Sequence, residues 1–316
     1  MPEILLMGGL GNQIFQLAAG LSYSIDEITL IDTLGNPRRN DQNSTELASF
    51  VLPKRVKIQN RSAVNYLNQK LLNYGIRIGA QAANRSLQIM LVQEFSKFLK
   101  FLSPLWCFGL NLSRGAGFDS QFKISMSCLN VGYFQSSQFC KDEKVLEELM
   151  SLKIAKPSQT FLELNKKATH TSPIIVHIRL GDYLNEEAFG IPGPSYYENG
   201  IQLIDTNGSQ VPIWLFSNDP SKAIELIPKS YHARIFIVPI EGLSSAETLE
   251  LMRSGSAYVI ANSTFSWWGA MLSHRRSSQV VVPTPWFYLG SVPNSIYPEL
   301  WIRVPADYGN IKKGMW

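Results

Sequence analysis

Residues 4–32 read ILLMGGLGNQIFQLAAGLSYSIDEITLID, and this stretch decides the fold class. Its first four residues, Ile4 to Met7, predict a short buried strand, and a glycine-rich turn follows directly. Asn12 is predicted to cap a helix whose apolar positions are Ile14, Phe15, Ala18 and Leu21. Glu27 to Asp32 predicts a second strand. Strand, glycine turn, helix and strand in this order indicate an α/β layer.

The same alternation of strands and helices returns after Pro173. We predict strands over Ile174 to Arg179, Ile213 to Ser217, Arg234 to Val238, Tyr258 to Ala261 and Val280 to Val282. Helices are predicted over Ser195 to Ile204, Ser244 to Ser254 and Phe265 to Ser273, the second of them opening with a capping box of Ser244 and Glu247. Repeated strand–helix units predict a parallel sheet.

A chain of 316 residues is too long for one compact core, so two domains are expected. The polar, breaker-rich stretch from Thr169 to Pro173 predicts the boundary between them. We expect an N-terminal α/β domain over residues 1–170 and a C-terminal α/β domain over residues 171–316. The first is expected to carry a helical insertion, because the segment from about Leu67 to Leu105 looks mainly helical. Residues 143–153 predict a further helix.

Composition and charge narrow the class of protein. A net charge of +4, with scattered Lys and Arg, suits a small anionic ligand and argues against DNA or RNA as a partner. The cysteines, Cys107, Cys128 and Cys140, are odd in number and form no C-x-x-C, which argues against a disulfide framework and a zinc site. The chain opens Met1-Pro2-Glu3, without a signal-peptide pattern. We expect a cytoplasmic protein that works at most peripherally at the inner membrane face.

The glycine turn is the first cluster that could carry chemistry. Gly9 and Gly11, between a strand and a helix, let a ligand approach the backbone, and the helix N-terminus offers N–H groups to an anion. A dinucleotide fingerprint would need glycine where Ile14 stands, although Asp32 lies near the place of a ribose-binding acid. A nicotinamide-dependent oxidoreductase is therefore an open, remote alternative, and so is a purely structural turn.

Polar residues follow two of the later strands. His177 and Arg179 share one face at a strand's carboxyl end, where open parallel sheets bind ligands. Arg179 could grip a diphosphate, while Asp182 could orient Arg179, form an ion pair with it or act on a substrate hydroxyl. Asp219 follows the next strand. Its carboxylate could accept from N1–H and N2–H of guanine, or it could cap the helix that Pro220 begins.

The fourth cluster, Asn262 to Ala270, lies between a strand and a helix. Three hydroxyl groups at a helix N-terminus suit phosphate oxygens, and the paired Trp267 and Trp268 are expected in the core. The sequence contains no D-x-D, G-x-S-x-G, H-E-x-x-H or P-loop lysine. A departing diphosphate would then be stabilised by Arg179 and helix N-termini, with no metal ion and no cofactor. A non-catalytic carbohydrate-binding protein is a further alternative.

Taken in order, these clusters resemble the α-1,2-fucosyltransferases of glycosyltransferase family 11. The matching strings are Gly9 to Gln16, Gly132 to Ser136, His177 to Tyr183, Ser217 to Asp219 and Asn262 to Ala270. The resemblance implies a GT-B-like α/β fold with two Rossmann-like domains facing a cleft. The family often has a basic residue where this chain has Leu180, a side chain that strand alternation points away from Arg179.

The resemblance also implies roles for single residues. Arg179 looks like the diphosphate-binding arginine, and His177 and Asp219 look like guanine-pocket residues. Four residues of the last cluster look like the contacts for phosphate and fucose, namely Ser263, Thr264, Phe265 and Ser266. Asn12, with Gly9 and Gly11, looks like the edge that the N-terminal domain contributes, and Asn12 joins Arg179 and Asp182 as a candidate catalytic residue.

The activity that the resemblance implies is inverting transfer of fucose from GDP-β-L-fucose. The acceptor is expected to be the 2-hydroxyl group of galactose in a glycan, which could be linked to a lipid carrier. Asp182, Glu186 and Glu187 are the candidate bases. A fucosyltransferase of another linkage or acceptor is the nearest alternative, because the motifs describe the donor better than the acceptor.

Overall fold

The structure, a computed structural model, describes residues 1–32, 45–60, 109–113, 116–184, 189–205, 210–289, 292–293 and 295–308. The chain forms two compact units. Unit 1 comprises Met1–Lys153 with Pro293–Ile296, and unit 2 comprises Ile154–Val292 with Tyr297–Trp316. Each is built on an open parallel sheet. The predicted α/β, GT-B-like fold class with two Rossmann-like domains is confirmed. The predicted helix from Leu67 to Leu105 lies outside the described residues.

Unit 1 contains a five-stranded parallel sheet. Its strands and helices are β1 (Glu3–Leu5), α1 (Leu10–Tyr23), β2 (Ile28–Asp32), β3 (Phe50–Val51), β4 (Val56–Asn60), β5 (Gly109–Leu112), β6 (Cys128–Val131) and α2 (Glu143–Met150). The order across the sheet is β4-β2-β1-β6-β5. Strand β3 pairs separately with β7 (Lys153–Ile154). The thiols of Cys128 and Cys140 are free.

Helix α1 begins earlier than the sequence predicts. Gly9 is its N-cap, in an extended conformation, and the Gly9 carbonyl accepts from the N–H groups of Asn12 and Gln13. The prediction that Asn12 caps this helix is therefore wrong, because Leu10 and Gly11 are already helical. The Asn12 side chain instead accepts a hydrogen bond from Gln135, through Nε2 to Oδ1 at 3.0 Å.

Unit 2 contains a six-stranded parallel sheet. Its elements are α3 (Gln159–Thr171), β8 (Ile174–Ile178), α4 (Pro194–Ile204), β9 (Ile213–Ser217), α5 (Pro220–Ala223), β10 (Ile235–Ile237), α6 (Ser245–Met252), β11 (Ala257–Val259), α7 (Thr264–Met271), β12 (Gln279–Thr284) and β13 (Ile302–Pro305). The order across the sheet is β10-β9-β8-β11-β12-β13. The predicted strands and helices of this half all form, and the capping box of Ser244 and Glu247 is present.

Two elements of unit 2 escaped the sequence prediction, namely α3 and β13. Helix α3 belongs to this unit because Phe161 and Ala168 are buried and Lys167 lies over the Phe236 ring, with Nζ 3.5 Å from the centroid. The polar, breaker-rich stretch from Thr169 to Pro173, which predicted a domain boundary, instead contains the end of this helix. Ser172 is the C-cap and has a left-handed conformation. The compact units divide earlier, after Lys153.

Both faces of the second sheet are buried, and the side chains of β8 alternate between them. Val176 and Ile178 point into an apolar core closed by α4, to which Tyr196, Tyr197 and Ile201 contribute. His177 points to the other face, where its ring lies 6.3 Å from that of Phe265. Strand alternation therefore places His177 on the face that also buries Ile175, away from the core beneath α4.

Trp267 and Trp268 are fully buried, as predicted, with ring centroids 4.8 Å apart. In the part of the chain that the structure describes, no helix has the length and apolarity needed to cross a membrane.

Candidate functional site

The candidate site of unit 2 lies where the strand order reverses. Strand β8 is followed along the chain by β9 and β10 on one side of it, and then by β11, β12 and β13 on the other. In open parallel sheets this reversal leaves a crevice at the carboxyl ends, where ligands bind. Because β8 and β11 are neighbours, the reversal brings His177 and Arg179 to the same edge as Ser263.

His177 provides a neutral imidazole at this edge. Its side chain is 5% exposed, and Nδ1 is buried without a hydrogen-bond partner among the described residues. Burial, together with the charge of Arg179, lowers the pKa of His177 to about 3. Buried polar atoms normally find a partner, so Nδ1 marks a position where a ligand or an ordered water would supply one.

Arg179 follows the last residue of β8 and is half-buried. Its guanidinium lies over the Tyr183 ring, with Cζ 5.9 Å from the centroid. Leu180 is fully buried in the core on the other face, so it points away from Arg179 as predicted. The Leu180 N–H donates to Asn218 Oδ1 at 2.9 Å. These contacts fix the direction in which the chain leaves the strand.

Gly181 starts the 3-10 turn Gly181–Leu184, which contains Asp182. Gly181 has a φ of +46°, and a Cβ atom there would lie 2.0 Å from Asn218 Nδ2. The left-handed backbone and the close approach of Asn218 together favour glycine. The side chain of Asp182, and residues Glu186 and Glu187, lie outside the part that the structure describes, so the roles of these carboxylates stay predictions.

The start of α7 forms the opposite side of the site. Ser263 is its N-cap, with Oγ accepting from the Phe265 N–H at 3.3 Å. The Ser266 hydroxyl donates back to the Ser263 carbonyl at 3.3 Å, whereas Thr264 and Phe265 are half-buried. Ser263 and Ser266 thus stabilise the helix start, whose first N–H groups lack intrahelical partners and attract an anion.

Asn262 opens the fourth cluster of the sequence, but no individual role was predicted for it. Its side chain is 1% exposed, and Nδ2 donates to the carbonyls of Phe189 at 2.8 Å and Gly190 at 3.2 Å. The Asn262 carbonyl accepts from the Tyr183 hydroxyl at 3.1 Å. Its Oδ1 is buried with no donor in the described ranges. The signal in the sequence that could have indicated this role was an asparagine shortly before the predicted start of a helix.

Asp219 caps α5 at the end of the neighbouring strand β9. Its Oδ1 accepts from the Ser221 hydroxyl at 2.8 Å and the Lys222 N–H at 3.3 Å, and Oδ2 lies 3.3 Å from Lys222 Nζ. The Ser221 hydroxyl and the Lys222 contacts lower the pKa of this carboxyl. Of the two predicted roles, capping is observed, and guanine recognition stays a prediction.

The first sheet repeats this arrangement between β1 and β6, where its strand order also reverses. Gly8 has a φ of +72°, and a Cβ atom there would lie 2.4 Å from Asn12 Nδ2. The Asn12 side chain therefore folds back over the glycine turn, held by Gln135. Gln135 is 8% exposed, and its Oε1 is buried without a partner among described residues.

A second glutamine ties the two strand ends of this sheet together. Gln16 Oε1 accepts from the Met7 N–H at 2.9 Å, and Gln16 Nε2 donates to the Gly132 carbonyl at 3.3 Å. Gln16 thus links the loop after β1 to the loop after β6. Among the described side chains, no three of His, Cys, Asp and Glu gather into a metal-binding group.

Comparison with known proteins gives matches along most of the chain. The family described as Glycosyl transferase family 11 matches residues 3–303. An alpha-1,2-colitosyltransferase of Escherichia coli is 29% identical over 313 residues, which cover 95% of this chain and 97% of that protein. The Escherichia coli O-antigen biosynthesis glycosyltransferase WbnK is 27% identical over 328 residues, covering 95% and 99%. The solved fucosyltransferase NodZ from Bradyrhizobium has a TM-score of 0.49 at 15% identity, covering 86% and 93%.

Proposed function

The chain belongs to glycosyl transferase family 11, and on this premise we propose that it is an inverting α-1,2-fucosyltransferase. The donor would be GDP-β-L-fucose, the acceptor the 2-hydroxyl group of a galactose in a glycan, and the transfer would need no metal ion. One observation carries the donor assignment: Arg179 and the start of α7 follow two neighbouring strands, β8 and β11, where the strand order of the second sheet reverses. Membership of the family sets aside the oxidoreductase and the non-catalytic binding protein.

The charges suit a departing nucleoside diphosphate. As the bond between the anomeric carbon and the β-phosphate oxygen breaks, its electron pair leaves with GDP. Arg179 would bind these oxygens through paired hydrogen bonds, and the N–H groups at the start of α7 would add a second positive end. Such donors are most effective when fixed before the reaction, so the contacts of Arg179 and Ser263 matter for catalysis.

The acceptor step needs a base and an oriented hydroxyl group. The 2-hydroxyl oxygen attacks the anomeric carbon from the face opposite GDP, which turns the β linkage of the donor into an α linkage. Its proton passes to a carboxylate, for which Asp182 is our candidate because it follows Arg179 in the turn. His177 would bind as a neutral donor or acceptor, since its lowered pKa prevents it from acting as a cationic acid. Asn12, with Gly9 and Gly11, would contribute from the first sheet.

A specific observation favours a second donor. The similar Escherichia coli protein is named a colitosyltransferase, and colitose is L-fucose without the 3-hydroxyl group. A 3-deoxy donor would leave the diphosphate chemistry unchanged. The name of WbnK likewise favours an acceptor in O-antigen assembly, and such an acceptor could be lipid-linked. Other linkages and acceptors are tested in the same assay.

The test measures GDP release from GDP-fucose and GDP-colitose with EDTA present. Each donor is assayed alone, with lactose, with Gal-β-1,3-GalNAc, and with a polyprenyl diphosphate-linked glycan. We expect acceptor-stimulated release that survives EDTA, and a new α-1,2 linkage by NMR. The donor with the higher kcat/KM decides between fucose and colitose. Absence of both GDP release and GDP binding would refute the donor assignment.

The Arg179→Ala variant tests the role of the guanidinium. We expect kcat to fall about 100-fold or more, the range seen when one charge-stabilising donor is removed. The Arg275→Ala variant is the control, because Arg275 is exposed and lies after α7, away from the strand ends. Near-normal turnover by Arg179→Ala, with normal unfolding behaviour, would remove Arg179 from the mechanism.

A further inference from the structure

Asn262 binds two separate stretches of the chain at the edge of the second sheet, one through a side chain and one through backbone carbonyls. Its Nδ2 atom donates to the Phe189 and Gly190 carbonyls, and its own carbonyl accepts from Tyr183 Oη. The Tyr183 and Phe189 rings also stack, with centroids 4.8 Å apart. A single buried residue therefore ties the turn after β8 to the chain that leads into α4. We call these three hydrogen bonds the Asn262 clamp.

The clamp reaches Arg179 through Tyr183. The Tyr183 ring lies under the Arg179 guanidinium, and the Tyr183 hydroxyl is held by the Asn262 carbonyl. A guanidinium keeps its direction when the ring beneath it is fixed. The Tyr183 N–H also donates to the Leu180 carbonyl at 2.9 Å, which closes the turn between Arg179 and Tyr183.

The clamp also reaches α7, because Asn262 directly precedes its N-cap, Ser263. The backbone of Asn262 therefore connects the turn of Arg179 to the helix start across two neighbouring strands. On the far side, Gly190 packs closely. Its φ is +69°, and a Cβ atom there would lie 2.6 Å from both Tyr288 and Tyr308. Phe189 also accepts from the Tyr288 N–H at 3.1 Å, so the backbone that Asn262 holds is itself anchored.

We propose that Asn262 is a positioning residue that sets Arg179 and the start of α7 at the spacing of one diphosphate. This inference rests on the proposed function, because it takes a nucleoside diphosphate as the ligand. Among the described residues, Asn262 is linked to Arg179 through Tyr183 and to α7 through Ser263. Its loss would therefore affect binding of the second phosphate of GDP more than binding of GMP, which lacks that phosphate.

The first test is independent of the ligand. Hydrogen exchange of the full-length protein is compared between the parent, Asn262→Ala, Asn262→Asp and Tyr183→Phe. The Asp variant keeps the side-chain shape but replaces the Nδ2 donor by an oxygen facing two carbonyls. We expect faster exchange at the amide of Tyr288, whose acceptor Phe189 loses its Asn262 donor, in both Asn262 variants, and at the amide of residue 183 in Tyr183→Phe, with β9 and α4 unchanged. Unchanged exchange at both amides would overturn the clamp.

The second test measures the affinities for GDP and GMP by titration. In Asn262→Ala we expect GDP binding to weaken about tenfold, as when one charge-assisted hydrogen bond is lost, and GMP binding to change less than about twofold. Tyr183→Phe should change in the same direction. Tyr258→Phe is the matched control. The Tyr258 hydroxyl also donates to a backbone carbonyl, but its acceptor, Gly255, precedes β11 and lies away from the carboxyl ends of the strands.

The outcomes separate the inference from the proposed function. Equal weakening of GDP and GMP would show a general loss of structure and overturn the positioning role. If the parent binds neither nucleotide, the donor assignment fails, and the hydrogen-exchange result alone decides whether Asn262 holds the turn of Arg179. A variant that unfolds is identified by exchange throughout unit 2, and Tyr183→Phe, which removes only one hydroxyl group, then provides the test.

Discussion

At the scale of single residues, His177 and Arg179 differ in burial and in charge although they stand two residues apart at one strand end. His177 lies within the sheet and is almost fully buried, whereas Arg179 lies beyond it, half-buried over an aromatic ring. Burial disfavours the charged imidazole, and the nearby guanidinium adds to this effect. The site therefore combines a permanent cation with a neutral ring.

The lowered pKa of His177 predicts a specific dependence of stability on pH. Because the folded state resists protonation, the unfolded chain binds the extra proton as pH falls below the ordinary value of about 6.5. The free energy of unfolding should then decrease from pH 6.5 downward, by about 2 kcal/mol at pH 5. His177→Gln should lose this dependence, measured by urea unfolding at pH 5, 6 and 7.

His170→Gln is the control for this experiment, since His170 is exposed at the end of α3. Its pH curve should run parallel to that of the parent. If the curve of His177→Gln also runs parallel to the parent, His177 is not held neutral by the fold.

Asp219 can be tested by separating its charge from its cap. Asp219→Asn keeps an acceptor at the N-cap, so stability should stay within about 0.5 kcal/mol, whereas Asp219→Ala should lose about 1 kcal/mol. If the carboxylate reads guanine, both variants should lose the preference for GDP over ADP. Nucleotide titration and chemical denaturation measure the two effects. A preference that survives in both variants would leave Asp219 as a cap alone.

At the scale of elements, the two turns that follow β1 and β8 use glycine for the same reason. In each, a glycine with positive φ lies against an asparagine side chain, Asn12 beside Gly8 and Asn218 beside Gly181. A Cβ atom would strain the backbone and displace the amide. Each glycine therefore leaves room for one asparagine side chain. In the turn after β8, that side chain is Asn218, which accepts a hydrogen bond from the Leu180 N–H.

Gly181→Ala tests how much of this requirement is packing. Gly242 also has a positive φ, of +84°, but nothing lies within 4 Å of its added Cβ atom. Gly242→Ala should cost about 1 kcal/mol for the left-handed backbone alone. Gly181→Ala should cost at least about twice that, because Asn218 must also move. Equal costs, measured by denaturant unfolding, would show that the Asn218 contact contributes nothing.

At the scale of the whole molecule, Glu247 explains why α3 belongs to unit 2. Its Oε2 accepts from the Ser244 N–H at 2.8 Å, and its Oε1 accepts from the Ser158 N–H at 2.6 Å. One buried carboxylate thus caps α6 and holds the start of α3. Burial would raise the pKa of Glu247. The hydrogen bonds from the Ser244 and Ser158 backbone N–H groups outweigh this effect, so the pKa of Glu247 is lowered.

Two fragments test the division of the chain. Residues 154–316 contain all of unit 2, and we expect this fragment to unfold cooperatively. Residues 171–316 lack α3, which would expose the face that Phe161 and Ala168 cover and remove the Ser158 partner of Glu247. We expect it to fail to fold, as judged by thermal circular dichroism. Equal behaviour of the two fragments would place the boundary nearer residue 170.

Most of the local structure could be predicted from sequence because it depends on neighbours along the chain. Short apolar runs and helical patterns, alternating along the chain, identified most strands and helices of unit 2, and Ser244 with Glu247 identified a helix start. Helix α3 was missed because only four of its 13 residues are apolar, namely Phe161, Leu162, Leu164 and Ala168. Strand β13 was missed because it is short, largely exposed and ends in a proline, Pro305.

The sequence by itself determined the class of most elements of unit 2, its parallel sheet and the residues that stand at strand ends, since these follow from spacing of a few residues. Only the tertiary structure decided that β8 lies beside β11, and hence that Arg179 and Ser263 share an edge. It also decided that Asn262 binds Tyr183, Phe189 and Gly190. The physical reason is that these hydrogen bonds join residues far apart in the chain, and such partners are set by the order of strands, which no local pattern contains.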